Sequence, residues 1–149
     1  MSDTKLRDII SQMKHTKIAT DTGKKMHTKM QGIIISDTAP HGDAEIRAKI
    51  SQHPELTRFF AQESKTEAPI AGHINGKFIS RRIDRLIIDD ANKTIDILDY
   101  KTDANKNEFI DKYITQINEY ATLLRDIYPQ HTIHGYILWL HDFELTKIV

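Results

Sequence analysis

Asp84, Asp99 and Lys101 are the side chains whose types and spacing point most directly to chemistry. Residues 77–89 and 94–101 are isoleucine-rich runs of strand character, joined by Asp90-Ala-Asn-Lys93. A symmetric hairpin pairs Asp89 with Thr94 and sets Asp84 directly opposite Asp99. The β-carbons of opposed residues stand about 4.5–5.5 Å apart and point to one face. Lys101, two residues beyond Asp99, shares that face, as do Leu86, Ile88, Ile95 and Ile97. Two carboxylates side by side at the end of an apolar face repel each other and are costly to desolvate. A divalent cation relieves both costs, and the lysine adds a third polar group. The alternative is an Asp–Lys ion pair in a hairpin shifted by one residue, which turns one acid toward solvent.

The elements around this hairpin follow from periodicity. Residues 4–14 and 23–35 read as two helices, the second with Met26, Met30 and Ile33 or Ile34 on one stripe. The turn-rich stretch Ser36-Asp-Thr-Ala-Pro-His-Gly42 ends it, and short helices are expected at 43–51 and 54–62. A strand at 68–74 precedes the hairpin, making a three-strand meander. Residues 107–128 form the clearest helix, with Ile110, Tyr113, Ile114, Ile117, Tyr120, Ala121, Leu124 and Ile127 at helical spacing and Pro129 as its stop. Strands are expected at 133–140 and 144–149. The expected fold is therefore one mixed α/β domain over 1–149, mainly helical over 1–62, with a central sheet and the long helix over 63–149.

Composition narrows the function classes. Lysine plus arginine and aspartate plus glutamate number 21 each among 149 residues, giving zero formal charge. This argues against a cationic coat protein or polybasic membrane binder. Residues 1–36 nonetheless carry seven lysines or arginines against three acids, and Lys77, Arg81, Arg82 and Arg85 form a second basic cluster. These are either solvated faces or a surface that tracks a phosphate backbone. The absence of cysteine removes thiolate metal sites, cysteine nucleophiles and iron–sulfur clusters. No apolar run approaches the roughly 20 residues of a membrane helix, and no secretory leader is recognisable, so a cytoplasmic protein without a membrane partner is expected. Other motifs carry less. Gly72-His-Ile-Asn-Gly76-Lys77 lacks phosphate-loop spacing. His131 and His134 would point to opposite faces of a strand. Asp103, Asn105 and Asn107 alternate like a calcium loop without its glycine and final glutamate.

Three segments together, Arg82-Ile-Asp-Arg-Leu86, Leu98-Asp-Tyr-Lys-Thr102 and Gln116-Ile-Asn-Glu-Tyr120, resemble the RecB-type branch of the PD-(D/E)xK nucleases. Upstream, Lys25-Met-His27 resembles that family's helical histidine motif and Glu67-Ala-Pro-Ile70 its glutamate-led strand. Within the branch, residues 123–129 and 137–139 are most similar to the C-terminal nuclease domains of AddA-type helicase–nucleases, and the resemblance runs over about 20–148. It implies a restriction-endonuclease-like core and divalent-metal-dependent hydrolysis of DNA phosphodiester bonds, exonuclease-like, in double-strand-break repair or recombination. By motif position it implies that Asp84 and Asp99 hold Mg²⁺ or Mn²⁺, with His27 and the Tyr100 main-chain carbonyl as further ligands. Lys101 would be the catalytic lysine, and Gln116 and Tyr120 would support the site and the DNA. Glu67 is left outside the site. The implied partners are DNA and a helicase or AddB-like subunit. Most such sequences have glycine three residues before the metal-binding aspartate; here Arg81 stands there, where it either crowds the cleft or meets a phosphate. The competing function is an impaired accessory module that binds DNA or a helicase without cutting.

Overall fold

The isoleucine-rich runs become a five-stranded sheet with helices on both faces. The computed structural model describes the backbone of residues 3–149 and the side chains of residues 5–10 and 23–149. In chain order, helix α1 spans Asp3–Gln31, α2 Ala44–Ser51 and α3 Pro54–Thr57, the last continued by a 3₁₀ turn at Arg58–Phe60. Strands β1 (Lys65–Ile74), β2 (Lys77–Asp89) and β3 (Thr94–Lys101) follow, then helix α4 (Ile110–Ile127) and strands β4 (Thr132–Trp139) and β5 (Glu144–Lys147). The strands lie in the order β1-β2-β3-β4-β5. All neighbours are antiparallel except β3 and β4, which run parallel. A parallel pair needs a crossover connection, and α4 supplies it. This mixed sheet flanked by helices is consistent with a restriction-endonuclease-like fold, as expected.

Each face of the sheet has its own core. On one, Ile117, Tyr120, Ala121 and Leu124 of α4 pack on Ile83, Leu86, Ile95, Ile97 and Ile137. These α4 positions recur at three- and four-residue spacing, the stripe a helix needs to lie on a sheet. Gly135 sets how close α4 approaches: a β-carbon there would lie 2.4 Å from Ile117 Cγ2. On the other face, Leu98, Tyr100 and Leu138 pack on Met30, Ile33, Phe59 and Phe60. β3 is covered on both faces, which is why Ile95 to Tyr100 are all buried instead of alternating.

The N-terminal region differs from the sequence expectation. One helix runs through residues 3–31 in place of separate helices at 4–14 and 23–35. The intervening stretch holds threonines and Gly23 but no proline, and a nucleated helix crosses such residues at under about 1 kcal/mol each. The helix stops at Gln31 because Gly32 follows, and Ile34 then bridges to His41. Elsewhere the changes are at element ends. The 54–62 helix is only α3 and its 3₁₀ turn, β1 begins at Lys65, and α4 begins at Ile110.

Candidate active site

The hairpin register is the expected one, running from Asp89↔Thr94 to Arg85↔Leu98. One step further Asp84 would face Asp99, and there the β2–β3 ladder stops. The β1–β2 ladder skips the same level: Thr66↔Arg85 and Ala68↔Ile83 pair, while Glu67 between them has φ +50°. The strand changes phase at this point. Ile79 and Ile83, at odd positions, and Leu86, at an even one, all bury on the α4 face. Such a bulge re-aims one side chain. Asp84 sits at the changeover, and its carboxylate enters the fork between β2 and β3. Its Oδ2 accepts the Tyr100 backbone N–H at 2.8 Å, and its Oδ1 is 3.9 Å from His27 Nδ1.

From the α4 face come Asp99, Lys101, Gln116 and Tyr120. Asp99 is 4% exposed. Lys101 Nζ lies 2.8 Å from Asp99 Oδ2, but off the directions a hydrogen bond requires, so that buried oxygen accepts none. Lys101 Nζ instead donates to Gln116 Oε1 at 2.8 Å, and Gln116 Nε2 donates to the Tyr120 hydroxyl at 2.8 Å. The ammonium also stands 4.3 Å from the Tyr113 ring centroid, and the Tyr113 hydroxyl donates to Asp103. Burial, followed by the carboxylate charges, pushes the Tyr120 phenol upward, so it stays neutral.

From the opposite face comes the end of α1, and Arg85 holds it there. Arg85 is 1% exposed, yet none of its partners is an acid. Its Nε donates to the Tyr100 hydroxyl, one terminal nitrogen to Ser64 Oγ, and the other to the main-chain oxygens of Met30, Gln31 and Ile33. The last carbonyls of a helix have no partners within it and carry partial negative charge, so a guanidinium is a fitting cap. Phe60 stacks below it, 4.6 Å from the guanidinium carbon. His27 lies one turn back on α1, its ring edge-on to Tyr100 at 5.7 Å. Sequence reasoning placed Arg85 among surface cations; its flanking aspartate and leucine give no local sign of burial.

Glu67 is the other residue the sequence reading left out. Gln31 Nε2 donates to its Oε1 at 2.6 Å, and its charge adds to the field on Asp84. The only sequence signal was its place at the head of β1. Burial is the first cause that raises the Asp84 carboxyl, to about 8, and the neighbouring Asp99 charge the second; the Tyr100 N–H acts the other way. Two crowded carboxylates, one buried oxygen without a hydrogen bond and a nearby imidazole are a hard donor set of the kind that suits Mg²⁺ or Mn²⁺. Among the described residues, no three His, Asp or Glu side chains converge into a cage by themselves. The set is therefore an open one.

Of the residues singled out from sequence, His27, Asp84, Asp99, Lys101, Gln116 and Tyr120 converge on the fork. Arg81 does not enter it: its Nε is 2.8 Å from Glu119 Oε1 on α4. His131 pairs with Asp90 at the far end of the hairpin. A cleft of about 750 Å³ opens beside the site, between Gly23, Lys25, Met26 and Lys29 of α1 and the Thr102–Ala104 loop. It adjoins His27 and Lys101 in sequence without being lined by either. No helix among the described residues is long and apolar enough to cross a membrane.

The fold and site thus define a mixed α/β protein with paired acids at a strand fork. Comparison with known proteins adds a region of relationship. The chain matches no family model. Over 69 residues it is 35% identical to ATP-dependent helicase/nuclease subunits of the AddA type from Lacticaseibacillus casei and Lacticaseibacillus paracasei. The match covers 45% of this chain and only 5% of each of those proteins.

Proposed function

We propose that this chain is a divalent-metal-dependent deoxyribonuclease that hydrolyses phosphodiester bonds. The observation that carries the reading is the buried Asp99 Oδ2, which accepts no hydrogen bond although Lys101 Nζ is 2.8 Å away, beside a second buried acid. Asp84, Asp99, His27 and the Tyr100 carbonyl would hold Mg²⁺ or Mn²⁺. When bound, such an ion withdraws charge from a phosphate and lowers the pKa of a water. Lys101 presents a fixed positive charge to the oxygens on which negative charge develops, the strongest use of a preorganised cation in a dry site. Gln116 and Tyr120 restrict the lysine to one direction by the hydrogen bonds they make along α4. Asp84 takes up or gives up a proton near neutral pH according to whether a cation balances it.

The similarity to helicase/nuclease proteins supports a setting in DNA repair, with exonuclease-like action on ends delivered by a helicase partner. The test is release of nucleotides from labelled DNA with Mg²⁺ or Mn²⁺. Cleavage by the wild type that disappears in Asp99→Ala and Lys101→Ala is expected; cleavage that survives either substitution sinks the assignment.

A further inference from the structure

β1 and β2 extend beyond the fork as a hairpin of which only one face is covered. Ile79 and Ile83, with Ala68 and Ile70, turn toward α4. The alternate positions, Pro69, Ala71 and His73 on β1 and Phe78, Ser80 and Arg82 on β2, are exposed. The register puts them opposite one another in pairs: Pro69↔Arg82, Ala71↔Ser80 and His73↔Phe78. They therefore form one continuous strip of sheet. Phe78 is 62% exposed, the most exposed large apolar side chain among the described residues. It is held by an edge contact with His73, ring centroids 5.5 Å apart. The strip holds no acid. Arg82 is 74% exposed on its side chain, 3.9 Å from Glu67 and two residues from Asp84. Lys77 is exposed beside Phe78 at the tip.

We infer that this strip is a single-stranded DNA platform that leads into the fork, with Phe78 as a stacking surface for a base and Arg82 as a phosphate contact. The inference rests on the nuclease reading for its substrate, and deepens it by naming the strand form. The strip is flat, because Pro69, Ala71 and Ser80 are small, and it ends in an aromatic ring with an open face. Base faces are available to such a ring only when the strand is unpaired; stacking of that kind tolerates any sequence because every base has a π-face. The cations at both ends match a phosphate backbone. Phe78 is six residues from Asp84 along an extended strand, roughly 20 Å at about 3.3 Å per residue. That distance corresponds to at most about six nucleotides at the ~3.4 Å spacing of a stacked strand, and to fewer in a stretched one.

The experiment is fluorescence anisotropy of labelled oligonucleotides on the full chain in EDTA, where cleavage cannot intervene. Probes are a single-stranded dT decamer, a duplex of the same length and a decamer of abasic deoxyribose phosphate. Phe78→Ala is expected to weaken dT decamer binding roughly tenfold, the scale of one base–aromatic stack, and Phe78→Tyr to restore it. Neither change should alter the melting temperature by more than a few degrees, because the ring is exposed. The abasic decamer should bind wild type and Phe78→Ala alike. Arg82→Ala should weaken the two decamers equally and flatten the salt dependence by about one phosphate. Unchanged dT decamer binding in Phe78→Ala overturns the proposal. So does duplex binding that exceeds the decamer's and falls as much with the substitution. Because no cleavage is measured, a platform that binds in a chain that never cuts DNA would defeat the nuclease reading alone, and cleavage with Phe78-independent binding would defeat the platform alone.

Discussion

The two faces of the sheet reach the fork with different materials. From α4 comes a chain of side chains, Asp99 to Lys101 to Gln116 to Tyr120, in which one buried cation stands against one buried acid. From α1 comes a buried cation with no acid at all, Arg85, satisfied by a hydroxyl pair and the last carbonyls of a helix. The α4 side leaves a polar atom of Asp99 unsatisfied; the α1 side leaves none of the Arg85 nitrogens so. Unsatisfied buried polarity is a cost that a stable fold normally avoids. It persists where something outside the chain is to satisfy it. The α4 face thus supplies chemistry and the α1 face supplies position, and the comparison can be broken at either.

The largest effect is expected on the chemical side. Lys101→Met should reduce metal-dependent DNA cleavage by roughly 10³-fold, about 4 kcal/mol of transition-state stabilisation. The melting temperature should move much less than that figure implies. Near-normal turnover in this variant would remove the division of labour between the faces.

On the positional side, Arg85→Met should cost about 3 kcal/mol of stability, since it orphans the α1 carbonyls and the Tyr100 hydroxyl together. In a chain of this size that is a fall of roughly 6–12 °C in Tm. Thermal or urea unfolding measures it, and wild-type stability would mean that the guanidinium is dispensable to the α1 cap.

Proton linkage at Asp84 sharpens the contrast. Its carboxyl is raised in the folded protein to about 8, so the unfolded chain ionises first. Folded stability from this group is fully present below the ordinary carboxylate pKa near 3.8 and is lost as pH rises toward 8. Melts in EDTA from pH 5 to 8 should show a decline that Asp84→Asn flattens. Stabilisation by added Mg²⁺ should grow over the same range, because a cation favours the ionised pair. A wild type and Asp84→Asn with parallel pH profiles would contradict the raised carboxyl.

The smallest expected effect belongs to Gln116. Gln116→Ala removes the hydrogen bond that aims Lys101 but not its charge, so kcat should fall about tenfold with KM nearly unchanged, equivalent to about 1.4 kcal/mol. A loss as large as that of Lys101→Met would make Gln116 more than a guide for the lysine.

Much of this was legible in the residues. The four-residue connection Asp90–Lys93 and the period-two isoleucines set the β2–β3 register, and that register brought Asp84 and Asp99 to the same level. Helical spacing put Gln116 and Tyr120 on one side of α4. The fates of the three arginines around Asp84 were not legible. Arg81, Arg82 and Arg85 read as one basic cluster, yet one binds Glu119, one is solvent-exposed and one is buried. The phase change at Asp84 separates them, and that change depends on how β1 pairs across Glu67, a contact between distant segments.

The sequence by itself determined the elements with strong periodicity, the register of a short hairpin and the identity of the paired acids, because these depend on neighbours a few residues apart. Only the tertiary structure decided that α1 continues unbroken to Gln31, that Arg85 caps it, and that Asp84 turns into a strand fork between two cores. Those outcomes depend on where a ladder stops and on which distant carbonyls need a donor, and no local pattern of residues carries that information.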